Sequence, residues 1–287
     1  MRKTTLMKEI NILWAGCSFT EMPHWERWLP MVYYEEYNIK INIVNIGESS
    51  FGNTQIADRV FTYLEDNPKI NFDLVIIQWS AFTREQTLAR EEYEKESYDP
   101  NLPDFSTGNI INHTHSEYLI NYNLDVMNTT RKKLKGMNLN YKMYFGWAQI
   151  TNLDFQFYPK LEKQMKILEN DDDFWLYSHS SGVNPRELAF QMTRYDPVEF
   201  FRILLKEKKV SRELLPIINS SRRKRKNLKP YPANDYGGYA EYVRDEIGVA
   251  GFLYNHLDWP HYDGHPNLIG SYFFWNGIVH KWIMELL

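Results

Sequence analysis

The sequence predicts an α/β protein with a parallel central sheet that helices cover on both faces. Over the first 80 residues, short apolar and β-branched runs alternate three times with segments of helical periodicity. Parallel strands need crossover connections, which are right-handed, so this alternation places helices on both sides of one sheet. Of the 287 residues, 43% are hydrophobic, which suffices for one large domain. We therefore expect a single domain over 1–287, with insertions at about 85–135 and 150–235.

The first half of the chain supplies strands and helices in alternation. Residues 25–37 carry apolar side chains at helical spacing, and residues 40–46 are rich in β-branched residues. Successive units of this kind build a parallel sheet. The predicted strands are 10–15, 40–46 and 72–79, and the predicted helices are 25–37 and 53–64.

The second half is predicted to be less regular. A polar stretch at 84–115 favours a long loop or a small lid, and residues 150–235 show little periodicity. The terminal helix begins at Pro266, a residue type that helix starts favour. The predicted elements of this half are helices at about 117–135, 197–208, 238–247 and 266–287, a strand at 141–147 and an extended piece at 250–257.

Charge and cysteine content indicate the expected compartment. The net charge of −4 and the pI near 6.1 give no global case for binding nucleic acid or a membrane surface. The single cysteine cannot form an internal disulfide, so we expect a cytoplasmic protein. The apolar run before Cys17 superficially resembles a lipoprotein signal, but Glu9 and Asn11 interrupt it. No segment approaches the ~18 apolar residues of a membrane span, so no membrane association is expected, and nothing indicates the oligomeric state.

A serine follows the first predicted strand, in Gly16-Cys17-Ser18. In an open parallel sheet the ligand crevice lies at the carboxyl ends of the strands, where Ser18 falls together with 47–53, 78–84 and 146–149. The turn that glycine permits would expose the serine hydroxyl beside backbone N–H groups, as a nucleophile requires. Alternatively, Ser18 or Thr20 caps the next helix.

A candidate acid and base lie just before the predicted terminal helix, in Tyr262-Asp263-Gly264-His265. His265 is the candidate general base for Ser18, and Asp263 is the carboxylate that would orient its ring. Residues two apart in an extended segment project to the same side, so the pair can meet. Alternatively, Asp263 satisfies backbone N–H groups of a turn and His265 is exposed.

Two further strand ends offer groups that could bind a reacting ester. Gly52 and Asn53 begin a predicted helix, and the Gly52 N–H with the Asn53 amide suits an oxyanion hole to which the Ser18 N–H contributes. Gly-Asn is also an ordinary turn and helix start, and the two interpretations are compatible. The residues expected to contact substrate lie at the end of the third strand: Trp79, Ser80 and Arg84.

Three short motifs occur in a set order: Gly16-Cys17-Ser18-Phe19-Thr20, then Asn45-x-Gly47 with Gly52-Asn53, then Asp263-x-His265-Pro266-Asn267. Together they resemble the SGNH (GDSL-like) hydrolase superfamily, over about the first 80 and the last 40 residues. The resemblance implies a three-layer, flavodoxin-like fold, esterase or O-acyltransferase chemistry, and no metal or cofactor. It also implies Ser18 as nucleophile, Asp263 and His265 as acid and base, and Gly52 as an oxyanion donor. The Gly-Cys-Ser-Phe-Thr form is similar to SGNH-like proteins of tailed phages, which implies an infected cell or a virion.

The chain departs from the family pattern at two places. Cys17 stands where the family usually has Asp, and Phe82 falls near an Asn that supplies an oxyanion donor. A phenyl ring cannot donate, and the loss of one such donor commonly costs ~10²–10³ in rate. The candidates to replace it are Asn53, Gln78, Ser80 and Arg84.

Other patterns suggest different chemistry. Several His and Asp residues lie close together in 256–265, and His113 and His115 could be further ligands, as in a metal-dependent hydrolase. The sequence has no His-Glu-x-x-His motif. Cys17 is either a second candidate nucleophile or a buried small hydrophobe. The aromatic share, 16%, suits a carbohydrate-lined groove as well as a core. A basic run is either a polyanion contact or a solvated loop: Arg222, Arg223, Lys224, Arg225 and Lys226.

The sequence therefore predicts a serine esterase that hydrolyses a small acyl ester, such as an O-acetyl group on a glycan, through Ser18, His265 and Asp263. Within the same chemistry, an O-acyltransferase would use an acceptor in place of water. A different class is a non-catalytic virion or binding module on the same scaffold. The expected partner is the small acyl ester or acylated glycan itself.

Overall fold

The computed structural model describes the residues that form a parallel sheet and the helices beside it. The described residues are 7–21, 23–49, 51–80, 113–146, 172–175 and 268–287, with single positions 168, 239, 242, 243 and 266. For 113–120 and 268–269 only the backbone is described. Asp263 and His265, the predicted acid and base, lie outside these residues, as does Arg84.

Five strands of the described residues form one sheet in the order β2-β1-β3-β4-β5, with every neighbouring pair parallel. This confirms the predicted parallel α/β fold, and the strand order is that of flavodoxin. Four of the strands were predicted to within a few residues. The fifth, β5, was not, because a two-residue strand leaves no pattern. The strands are β1 (Glu9–Ala15), β2 (Lys40–Asn45), β3 (Leu74–Trp79), β4 (Tyr141–Phe145) and β5 (Phe174–Trp175).

Helices follow the strands as predicted, and the four-residue helix Ser18–Glu21 is an additional one that was not predicted. The predicted helix at 197–208 and the extended piece at 250–257 lie outside the described residues, as does most of the predicted helix at 238–247. The predicted helix at 25–37 agrees with the observed one at both ends. The last helix contains one π-helical turn, Trp275–Val279, between α5 (Leu268–Phe274) and α6 (His280–Met284), and the three parts are together called the C-terminal helix. No helix within the described residues is both long enough and apolar enough to cross a bilayer. The helices are α1 (Ser18–Glu21), α2 (Trp25–Tyr37), α3 (Asn53–Asp66), α4 (His113–Gly136), α5 (Leu268–Phe274) and α6 (His280–Met284).

The helices form two layers, one on each face of the sheet. The chain crosses from β1 to β2 in one direction and from β2 to β3 in the other, so right-handed crossovers put α2 and α3 on opposite faces. The C-terminal helix packs on α2, where the rings of Trp28 and Trp275 lie 5.8 Å apart. Helix α4 packs on α3, where the hydroxyls of Thr54 and Tyr122 are 3.1 Å apart. The molecule is therefore a three-layer α/β protein.

Aromatic side chains fill the core between the sheet and α2. Trp14 of β1 stacks on Trp25 at 4.6 Å between ring centroids, and Trp28 lies 5.4 Å from Trp25. All three side chains are fully buried, as is Trp79 at the end of β3. In the described residues, aromatic side chains therefore serve largely as core, the second of the two roles that their number suggested.

The C-terminal helix runs antiparallel to the strands. Near its end, the Leu286 carbonyl accepts a hydrogen bond from Lys8, which precedes β1 and so lies at the amino edge of the sheet. Earlier in the helix, the ring of Phe274 lies 5.1 Å from that of Tyr144, near the carboxyl end of β4. The start of the helix therefore points to the carboxyl edge. Pro266, which directly follows His265 in the sequence, is buried.

Candidate active site

Ser18 lies at the carboxyl edge, directly after β1. The strand order reverses between β1 and β3, which is where open α/β sheets bind ligands. The Cys17 carbonyl accepts the N–H groups of Thr20 at 2.8 Å and of Glu21 at 3.1 Å, so Cys17 precedes α1 as its N-cap. Ser18 is therefore the first residue of α1 and not its cap, and its side chain is buried, 3% exposed. We call residues 16–21 the Ser18 turn.

A buried amide lies behind the Ser18 turn. The side-chain oxygen of Gln78, at the end of β3, accepts hydrogen bonds from the backbone N–H of Cys17 at 3.0 Å, from its thiol at 3.2 Å and from the Thr20 hydroxyl at 3.3 Å. The Gln78 amide nitrogen donates to the Trp79 carbonyl at 2.5 Å. Gln78, Cys17 and Thr20 are all fully buried. Gln78 therefore joins the end of β3 to both sides of Ser18.

Tyr144 extends this buried polar group toward β4. Its hydroxyl accepts a hydrogen bond from the Trp14 indole N–H at 3.3 Å and is also hydrogen-bonded to Thr20. Burial raises the pKa of Tyr144 well above its ordinary value, and these two hydrogen bonds lower it by less. The hydroxyl therefore stays protonated and neutral. We call Gln78, Cys17, Thr20, Tyr144 and Trp14 the Gln78 cluster.

The loop after β2 is tied to the end of β3 by Asn53. The Asn53 side-chain oxygen accepts the Ser80 N–H at 2.7 Å, and its nitrogen donates to the Ser80 carbonyl at 3.3 Å. The same nitrogen donates to the side-chain oxygen of Asn123 on α4 at 2.5 Å. Asn53 and Ser80, two of the residues predicted to bind the substrate or oxyanion, are thus brought together, and both are fully buried.

Both predicted oxyanion donors of this loop are engaged within the protein. The Gly52 N–H donates to the side-chain oxygen of Gln55 at 2.9 Å, and both N–H groups of the Asn53 amide have acceptors. An oxyanion would therefore compete with Gln55 for Gly52, and with Ser80 or Asn123 for Asn53. The assignment of Gly52 and Asn53 as oxyanion donors stays a prediction.

We expect Asn53→Ala to lower the free energy of unfolding by about 1–3 kcal/mol, because it removes the bonds of Asn53 to a buried N–H of Ser80 and to the side-chain oxygen of the buried Asn123. Urea unfolding measures the change. Asn67→Ala at the other end of α3 is the control, since Asn67 is half-buried and its side chain donates one bond to Tyr63. Equal losses in the two variants would show that the contacts of Asn53 carry no special weight.

The remaining predicted site residues are described in part. Trp79 is fully buried in the core, and its contact with a substrate stays a prediction. The basic run 222–226 lies outside the described residues, as do the His and Asp residues of 256–265 proposed as metal ligands. Of His113 and His115 only the backbone, in α4, is described. Among the described residues, no group of three or more His, Cys, Asp or Glu could hold a metal ion.

The Gln78 cluster was missed as a unit, although Gln78 was considered as an oxyanion donor. The sequence contains a signal, because Gln78 is the polar residue in the otherwise apolar run Leu-Val-Ile-Ile-Gln-Trp. In the structure all six of these residues are buried. A buried amide must find hydrogen-bond partners. The identity of these partners, Cys17 and Thr20, depends on β1 pairing with β3, which the sequence does not encode locally.

A chain of side chains links the start of the C-terminal helix to the Ser18 turn. The hydroxyls of Ser271 and Tyr239 are 2.8 Å apart, and both residues are fully buried. The ring of Tyr239 meets that of Phe19 edge to face, at 6.1 Å between centroids. Phe19 is the neighbour of Ser18 in α1. The first turns of the C-terminal helix and the Ser18 turn therefore lie one side chain apart.

No family model and no curated protein matches the chain. Among solved structures, an esterase from Pseudoalteromonas sp., inhibited by monoethylphosphonate, is similar at 13% identity and a TM-score of 0.35, over 57% of this chain and 75% of that one. A lipase from a goat rumen metagenome has 13% identity and a TM-score of 0.36, over 58% and 79% of the two chains. A catalytic mutant of an acetylxylan esterase from Geobacillus stearothermophilus has 13% identity and a TM-score of 0.34, over 63% and 78%. The chain is thus similar to esterases and lipases, and others of the similar structures are described as G-D-S-L or SGNH-hydrolase family proteins, the family that its motifs resemble.

Proposed function

We propose that the chain is a serine esterase of the SGNH type, which hydrolyses a small acyl ester such as an O-acetyl group on a glycan. The observation that supports this most is the direction of the C-terminal helix, whose first residues point to the carboxyl edge where Ser18 lies. Tyr239 joins Ser271 of that helix to Phe19 of α1. These contacts support the proposal that His265, which precedes the helix in the sequence, reaches Ser18.

In the proposed reaction, the Ser18 hydroxyl oxygen attacks the acyl carbon while His265 takes its proton. Asp263 orients the imidazole and stabilises its protonated form. The protonated His265 then gives its proton to the departing alcohol, which leaves an acyl ester on Ser18. Water, activated by the same histidine, hydrolyses this ester and restores the serine. An acyltransferase would differ only in that an acceptor hydroxyl replaces the water.

The negative oxygen formed during attack needs hydrogen-bond donors. The candidate donors are the N–H groups of Ser18 and Gly52 and the Asn53 amide. Ser18 follows β1, and Gly52 and Asn53 follow the adjacent strand β2. The bond between Gly52 and Gln55 implies that this N–H changes partners during the reaction. Gln55 is exposed, so its side chain can turn away into water without disturbing the core.

We expect Gln55→Ala to raise kcat roughly fivefold, because removing a competing bond of about 1 kcal/mol leaves the Gly52 N–H available to the oxyanion. The same change removes a helix cap and should lower the free energy of unfolding by about 0.5–1 kcal/mol. Steady-state hydrolysis and urea unfolding measure the two effects. Gln55→Glu retains an acceptor at this position and is the control. If both variants have the same kcat, the Gly52 N–H does not bind the oxyanion.

Labelling of the full chain tests the proposal directly. A fluorophosphonate probe reacts with activated serine hydroxyls, and peptide mass spectrometry locates the adduct, which we expect on Ser18. Hydrolysis of p-nitrophenyl acetate should proceed equally with and without a chelator. An adduct on another residue would overturn the assignment of Ser18, and chelator sensitivity would favour the metal-dependent alternative. A chain that neither labels nor hydrolyses would favour the binding module.

A further inference from the structure

We propose that Gln78 is the positioning residue of this active site, which fixes Ser18 relative to Gly52 and Asn53, here called the oxyanion loop, without touching the substrate. The inference rests on the proposed role of Ser18 as nucleophile. Gln78 is fully buried at the end of the central strand β3, and its amide makes four hydrogen bonds to three residues.

The bonds of Gln78 lie on both sides of Ser18 in the sequence. Cys17, the residue before it, is bound through its backbone N–H and its thiol, and Thr20, two residues after it, is bound through its hydroxyl. One oxygen atom is therefore the shared acceptor for both sides of the turn. Because Cys17 and Thr20 are both bonded to this oxygen, the position of the Ser18 backbone between them follows the position of the Gln78 amide, and the Ser18 hydroxyl itself donates to the Cys17 sulfur at 3.9 Å.

The amide itself has little freedom to move. A Cβ atom at Gly16 would lie 2.8 Å from the Gln78 side-chain oxygen, and one at Gly146 would lie 2.6 Å from its nitrogen. The backbones of two glycines therefore enclose the amide from opposite ends. The bond from this nitrogen to the Trp79 carbonyl fixes which end is the acceptor. A neutral amide suits this place, since an isolated charge in a buried site is costly.

Gln78 also connects the Ser18 turn to the candidate oxyanion loop. Its partner Trp79 directly precedes Ser80, whose N–H binds the Asn53 side chain at 2.7 Å. Strand β3 thus holds the nucleophile through Gln78 and the oxyanion loop through Ser80. A displacement of about 1 Å between the reacting groups costs roughly 10² in rate. Loss of the Gln78 amide should therefore reduce kcat far more than it changes KM.

The first test is Gln78→Met, which keeps the length of the side chain and removes all four hydrogen bonds. We expect kcat to fall about 100-fold with KM changed less than about threefold. Thr130→Val is the control, because Thr130 is equally buried but lies on α4, about two turns beyond the contact of Asn123 with Asn53. It should lose stability with no change in kcat. Should Gln78→Met fail to fold, Thr20→Val removes the bond to Gln78 together with the bond to Tyr144 and keeps the shape of the side chain. We expect about a tenfold loss of kcat.

The second test is Gln78→Glu, for which the pH dependence of kcat is measured. A purely structural role of Gln78 predicts no change in this pH dependence. A protonated carboxyl supplies the same acceptor and donor as the amide, whereas the carboxylate cannot donate to Trp79. Burial raises the pKa of a carboxyl, so the protonated form predominates at low pH. The ratio of variant to wild-type kcat should therefore be highest at low pH and fall as pH rises through that pKa, over roughly pH 5 to 9. A ratio that does not vary with pH overturns the inference.

Cys17 separates failure of this inference from failure of the proposed function. It is the single cysteine of the chain and is fully buried against Gln78, so its reaction with a chromogenic aromatic disulfide reports opening of the Ser18 turn. In Gln78→Met we expect this reaction under native conditions to be at least about tenfold faster than in the wild type. An unchanged rate overturns the positioning role, even in a chain without esterase activity. A faster rate with unchanged kcat also overturns it.

Discussion

Ser18→Ala should abolish fluorophosphonate labelling and reduce the hydrolysis of p-nitrophenyl acetate by roughly 10⁴-fold or more. The loss is large because no other group in the proposed reaction can form the acyl intermediate, and only the binding and oxyanion contacts would remain. Labelling is followed by intact-protein mass spectrometry and hydrolysis by absorbance. Urea unfolding of the same preparation shows whether the variant is folded.

The fold should survive this substitution. The change removes one oxygen atom at the first position of α1, whose N-cap carbonyl belongs to Cys17. Ser49→Ala is the matched control, because Ser49 lies on the loop after β2 at the same edge of the sheet, is exposed, and bonds the Glu21 carboxylate at 2.5 Å. We expect the control to be labelled like the wild type. Equal labelling of Ser18→Ala and Ser49→Ala would remove Ser18 from the mechanism.

The sequence predicted the elements whose pattern of burial is regular along their whole length. Helix α2 is the best case, because its buried residues repeat at helical spacing and residues in the left-handed region, His24 and Asn38, bound it at φ 52° and 55°. Strand β3 is another, since its six residues are all buried and five of them are apolar. Such segments carry their own pattern, and the sheet follows from their order.

What the sequence did not predict depends on partners far along the chain. The two residues of β5 are a strand only because they pair with Met143 and Tyr144 of β4. Likewise, the sequence allows Gln55 to be recognised as a helix cap. That its side chain would compete with an oxyanion for the Gly52 N–H becomes apparent only when the site is assembled. Contacts of this kind are fixed by tertiary packing and not by local propensity.

The candidate site was predicted as a set of strand ends and is described in part. The structure joins the ends of β1 and β3 through Cys17 and Gln78, and the ends of β2 and β3 through Asn53 and Ser80. The meeting of Ser18 with His265 stays a prediction, supported by the direction of the C-terminal helix. Whether His265 reaches Ser18 depends on packing of the whole domain, because some 250 residues separate the two in sequence.

Gly16→Ala should destabilise the protein by roughly 2–6 kcal/mol and eliminate activity. The backbone at Gly16 is not in the left-handed region, so the requirement for glycine here is one of space. An added Cβ would overlap the Thr20 hydroxyl and lie 2.8 Å from the Gln78 oxygen and 2.9 Å from the Gln78 Cβ. Overpacking typically costs 1–3 kcal/mol, and displacing Gln78 would leave buried donors unsatisfied at about 1–3 kcal/mol more.

Gly136→Ala is the matched control for this substitution, because a Cβ at Gly136 meets no atom within 4 Å. It should leave stability unchanged or raise it by about 0.4–1 kcal/mol, since alanine restricts the unfolded chain. Urea unfolding of both variants measures the difference. If Gly16→Ala were as stable as Gly136→Ala, the Ser18 turn would not lie against Gln78 as described. Because Gly16 lies so close to Thr20 and Gln78, the Gly16→Ala substitution directly tests the buried polar group on which the positioning of Ser18 depends.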